Sequence, residues 1–101
     1  KIKANPTFPA TVKIRAPGGE FQELPVVFRH KRKDEVNTFF EEASANDKSD
    51  VDCILELVES WKADSDLSAD SVAELLQNYP ASAHAIFNCY MAELIDARLG
   101  N

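Results

Sequence analysis

The chain has 101 residues, 45% of them hydrophobic, and a net charge of −6. That length suits one domain, 1–101, with a real but small core and modest stability. No run approaches the roughly 18 apolar residues that span a bilayer, and no charged, apolar, small-residue opening marks a signal peptide, so the chain reads as soluble and cytoplasmic, with no membrane partner.

The net charge conceals an asymmetry. Residues 1–33 carry eight cations against two carboxylates, a balance of +6, whereas 34–101 carry three against fifteen, a balance of −12. The same boundary separates an extended lead-in and β-hairpin (1–33) from a helical body (34–101).

Asn5-Pro6-Thr7-Phe8-Pro9 is an extended lead-in, since each proline biases its predecessor away from helix. A first strand follows, with Val12, Ile14 and Ala16 on one face and Thr11, Lys13 and Arg15 on the other. Pro17-Gly18-Gly19-Glu20 supplies a tight turn, its glycines able to take positive φ. The second strand, from about Phe21 to His30, aligns Leu24, Val26 and Phe28. Pro25 cannot donate to a ladder and marks an edge or a bulge.

From Asp34 the period becomes helical, with Val36, Phe39, Phe40 and Ala43 at i, i+3, i+4 and i+7. Lys31, Arg32 and Lys33 precede this helix where a serine or aspartate cap is expected, and each cation there opposes the helix dipole by ~0.3–1 kcal/mol, partly offset by Asp34 and Glu35. Ala45-Asn46-Asp47-Lys48 is a polar break. Ser49 and Asp52 resemble a capping box for a second helix, expected to bury Val51, Ile54, Leu55, Val58 and Trp61. Leu67, Ser68 and Val72 form a staple around the N-cap of a third helix, which runs through Leu75, Leu76 and Tyr79. Pro80 suits the first turn of a fourth, which ends with Arg98 in its last turn and Gly100 as C-cap. Ala83, Ile86, Phe87, Tyr90, Met91, Leu94 and Ile95 make this helix apolar around most of its circumference. Either it is the central helix of the bundle, or one flank meets a partner.

The fold class is therefore α+β, an N-terminal β-hairpin packed on a bundle of about four α-helices. The alternative is a nearly all-helical domain whose arm orders only in an assembly.

No catalytic constellation is present. His30 and His84 are the only histidines, no metal-ligand spacing occurs, and no phosphate loop or nucleophile elbow exists. The chain reads as a non-enzyme with no cofactor and no metal. Cys53 and Cys89 lie in apolar helical stretches, as small buried hydrophobes do. The basic run Arg29-His30-Lys31-Arg32-Lys33 is open to three readings: a solvated edge, docking on an acidic protein surface, or nucleic-acid binding. The acidic remainder and the lack of interleaved aromatics disfavour nucleic acid as a partner.

The stretches "NPTF", "VKIRAPGG", "FRHKRKDEV", "ELVESW", "LLQNYPASAHAIFNCYMAEL" and "ARLGN", in that order over almost the whole chain, resemble the tail assembly chaperones of long-tailed bacteriophages. At the "FRHKRKDEV" junction the sequence departs from a well-capped helix by carrying Arg32. The resemblance implies a virion-assembly factor in the cytoplasm of an infected or lysogenic bacterial host, absent from the mature virion. Such a protein coats the tape measure protein, keeps it soluble and helps bring tail tube subunits to it. It is often made in two forms, a short one ending near Asn101 and a frameshifted longer one that recruits tube protein. A structural tail component, such as a completion or minor tail protein, is the alternative, followed by a nucleic-acid-binding module.

A lone two-stranded ribbon leaves backbone edges open, and a positive ribbon on a negative body suits self-association. The residues expected to carry partner or self-contacts are Arg15, Arg29, Lys31 and Arg32 for charge, and Phe8, Phe21, Val27 and Ile95 for apolar area.

Overall fold

In the computed structural model, which describes residues 2–96, the alternating segments pair as the sequence requires. Strands β1 (Thr7–Arg15) and β2 (Phe21–Arg29) run antiparallel in register from Thr7↔Arg29 to Arg15↔Phe21. Val12, Ile14, Leu24, Val26 and Phe28 are buried on one face. The connecting turn holds Gly18 at φ +100° and Gly19 at φ +94°, where any side chain would be strained. It is closed by the Ala16 N–H donating to the Glu20 carbonyl at 2.7 Å.

The ribbon is not two-stranded. Helix α2 (Asp50–Leu57) stops four residues short of the expected Trp61, and Val58–Trp61 forms strand β3, antiparallel to β2 in the order β1-β2-β3. The register pairs Phe28 with Val58 but Val27 with Ser60, leaving Glu59 as the extra residue of a bulge. That insertion lets Val58 and Trp61, three apart, both point inward while Glu59 and Ser60 stay exposed. A bulged strand thus shows the i, i+3 spacing of a helix.

Pro25 lies in the central strand, at the point where β3 runs out. Its carbonyl accepts from the Lys62 N–H at 2.9 Å. A strand residue's N and O point to the same side, so the missing donor faces beyond the last residue of β3 rather than toward β1. From Pro25 back to Phe21, β2 is an edge.

The helices cover the inner sheet face. α1 (Lys33–Ala45) starts at Arg32, whose backbone N–H donates to Glu35 Oε1 at 2.7 Å, so Glu35 supplies the capping that Arg32 cannot. α2 is capped by Ser49, its Oγ accepting from the Asp52 N–H. Ser68 and Ser71 cap α3 (Ala69–Asn78) reciprocally. Pro80 is in the turn before α4 (Ser82–Met91) rather than in its first helical turn; the Ser82 N–H returns to the Tyr79 carbonyl at 2.8 Å. α4 passes into a π-helical turn, Ala92–Asp96. Arg98 and Gly100 lie outside the described residues.

α4 is the central helix. Its Tyr90, 0% exposed, stands edge-on to Phe28 at 5.0 Å and stacks on Phe8 at 6.0 Å, while Phe87 on another side meets Phe40 of α1. The Tyr90 hydroxyl donates to the Arg29 carbonyl at 2.8 Å.

Candidate partner-binding surfaces

The outer sheet face follows from strand parity. With the even-numbered residues of β1 and β2 turned to the helices, the odd-numbered ones face away, and Arg15, Phe21 and Val27 fall on one surface. Arg15 sits opposite Phe21, which is 61% exposed. Lys13 faces Glu23, Thr11 faces Pro25, and Pro9 faces the half-buried Val27. Pro9, Thr11, Pro25 and Val27, with Ser60 and Lys62 of the β3 side, line a shallow trough of about 490 Å³.

The other expected contact residues are distributed differently. Phe8 faces the core, 5.6 Å from Phe28 between ring centroids. Its even number places it with Val12 and Ile14, so extending the alternation back through Pro9 would have found it. Arg29 is used inside the chain. Its Nη1 donates to the carbonyls of Leu55, Glu56 and Val58 at 2.9, 3.1 and 3.3 Å, and its Nε lies 3.8 Å from Glu59 Oε1. It closes the orphan carbonyls at the C-terminus of α2, where a cation also favours the helix dipole. Arg32 extends into solvent, 3.7 Å from Asp34. Ile95, 43% exposed, lies in the π-helical turn, away from the sheet residues in sequence.

Lys31 belongs to a cluster that the sequence did not announce. Glu56 accepts from Lys48 Nζ at 2.7 Å and lies 3.4 Å from Lys31 Nζ, and both ammonium groups stand about 5 Å from the Phe39 ring centroid. The hydrogen bond from Lys48 is the main cause that holds the Glu56 carboxyl below its usual range, and the same bond raises Lys48. Burial pushes the thiols of Cys53 and Cys89 up, so both stay protonated at neutral pH; Cys89 Sγ lies 3.8 Å from the Thr11 carbonyl.

Among the described residues, no group of His, Cys, Asp and Glu is placed to hold a metal ion, and no helix is long and apolar enough to cross a membrane. The surface has an exposed sheet face with an apolar middle, and a cleft between α1 and α2 whose charged lining is mainly carboxylates. This describes a small domain of α+β class. The sequence profile of the phage tail assembly chaperone family matches residues 1–101, and the chain belongs to that family. Neither a curated protein nor a solved structure matches it.

Proposed function

We propose that the protein coats and solubilises the tape measure protein during tail assembly, without catalysing a reaction, and helps recruit tail tube subunits. It acts in the cytoplasm of the infected or lysogenic host and leaves before the virion matures. The observation that supports this reading best is the outer sheet face, where Pro9, Pro25 and the half-buried Val27 form an apolar patch, with the Lys13–Glu23 pair between it and the exposed Phe21 and Arg15 at the turn end. An uncovered apolar strip flanked by charge is suited to shielding the apolar stripe of a long helical client. Many copies are required along such a client. The positive ribbon of one copy meeting the negative helical body of the next provides a head-to-tail contact that repeats.

Co-expression with the tape measure protein tests this. The client should move from the insoluble to the soluble fraction and co-purify with the chain. A client equally insoluble in both conditions overturns the proposal, and finding the chain in purified mature virions would favour a structural tail component.

A further inference from the structure

β3 leaves half of β2 uncovered. In the hairpin the Ala16 N–H bonds the Glu20 carbonyl and the His30 N–H bonds the Pro6 carbonyl, so the even-numbered residues carry the hydrogen bonds between β1 and β2. The backbone groups of the odd-numbered residues of β2 therefore point to the β3 side. On that side the last bond runs from the Lys62 N–H to the Pro25 carbonyl, and the N–H and C=O groups of Phe21 and Glu23 have no partner among the described residues. Beside this open edge lies a groove of about 380 Å³, between β2, the loop after β3 and α3. Leu24 and Leu75 give it an apolar floor, next to the hydrogen bond from Gln22 to the Tyr79 hydroxyl at 3.2 Å. Glu23, Asp64 and Glu74 line it against one cation, Lys62. None of these three carboxylates enters an ion pair within the described residues.

The segment before β1 carries the complementary chemistry. Ile2 is a fully exposed large hydrophobic, Lys3 and Ala4 are exposed beside it, and Lys3 has no ion-pair partner. In an extended chain Ile2 and Ala4 fall on one face and Lys3 on the other. The segment cannot fill the groove of its own chain. Pro6 is tied opposite His30, six residues from Leu24 and so ~20 Å away along β2, whereas the four residues from Pro6 to Ile2 reach ~14 Å at most.

We propose that residues 2–5 of a second copy add as a strand to the open edge of β2. β3 already occupies the edge from Val26 onward, so the incoming chain must leave toward the glycine turn, which sets it antiparallel to β2. Lys3 then stands opposite Glu23 and exchanges both backbone bonds with it, Ile2 lies opposite Leu24 over the apolar floor, and the small Ala4 lies beside Gln22. Backbone bonding supplies the docking, and the unpaired carboxylates favour a cationic segment over an acidic one. The two surfaces are unlike, so the contact is head-to-tail and can repeat from copy to copy. This deepens the self-association in the function proposed above and rests on it.

Sedimentation velocity of the full chain over a range of concentrations tests the contact. Ile2→Asp should weaken self-association about tenfold, and because Ile2 is fully exposed the variant should fold as the wild type does. Lys3→Glu and Glu23→Lys should each weaken it about threefold, and the two together in one chain should restore most of the loss, since the pair is remade with its charges exchanged. Association of Ile2→Asp equal to wild type overturns the strand contact and leaves the proposed function standing. A double reversal weaker than either single one also overturns it, because Lys3 and Glu23 then do not meet. Weakening by Glu23→Lys without weakening by Ile2→Asp assigns the edge to another segment and overturns residues 2–5 as its occupant. A wild type that stays monomeric at every concentration overturns the contact together with the self-association it rests on, while solubilisation of the client on co-expression is decided separately.

Discussion

Tyr90 shows how one residue joins packing, hydrogen bonding and pH. Its ring is fully buried against Phe28 and Phe8, and its hydroxyl satisfies the Arg29 carbonyl at 2.8 Å. Burial, with a smaller contribution from the Glu35 charge, pushes its phenol from 10.0 up to about 12. Because the folded value lies above the unfolded one, the folded state binds more protons between them, and stability falls as pH rises through that window while being fully present below it. Tyr90→Phe should lower stability near neutral pH by about 1 kcal/mol, the net worth of a typical hydrogen bond. It should also flatten the alkaline loss between about 10 and about 12 relative to wild type. Urea unfolding at a series of pH values measures both, and an alkaline slope identical in the two proteins would show that Tyr90 does not govern it.

At the scale of elements, the sheet and helices were legible wherever local chemistry specifies them. The glycine turn, the even-numbered core face and the serine caps at Ser49 and Ser68 all follow from the sequence. What escaped depends on non-local placement. Val58 and Trp61 carry a helical spacing because Glu59 bulges, and only the pairing with β2 distinguishes that from a continuing helix. Arg29 read as a free cation in a basic run, yet three carbonyls 26 to 29 residues away claim it. The Glu56 cluster joins residues from the β2–α1 junction, the α1–α2 loop and α2, which no periodicity links. On the outer face, parity brought Arg15, Phe21 and Val27 together and turned Phe8 inward. The role of Arg29 is open to test. Arg29→Met keeps the apolar stem but leaves those carbonyls without their charged donor, and should destabilise the protein by about 1–3 kcal/mol. Exchange should quicken first at 55–61. No change in denaturation midpoint would return Arg29 to the free surface.

For the whole molecule, the charge asymmetry and the exposed sheet face bear on the proposed self-association. With Arg29 and Lys31 engaged within the chain and Lys13 opposite Glu23, Arg15 and Arg32 are the expected contact cations that reach solvent most freely, and Arg32 lies near Asp34. Each exposed pair with a neighbouring copy contributes only ~0.2–1 kcal/mol, and charges farther apart than ~8 Å are screened at physiological ionic strength. Electrostatics alone would therefore not sustain the proposed association, and apolar area such as that of Phe21 and Val27 would have to supply most of it, at about 25 cal/mol per Å² removed from water. Sedimentation velocity over a range of protein concentrations should thus show self-association that weakens modestly with salt. Arg15→Glu with Arg32→Glu should weaken it and abolish most of the salt response. Val27→Asp should weaken it more, since a carboxylate in the middle of the strip must be desolvated on contact. A strict monomer at every concentration and salt removes self-association through this face. Sensitivity to Val27→Asp without sensitivity to the arginine reversals keeps the sheet contact and discards its electrostatic part.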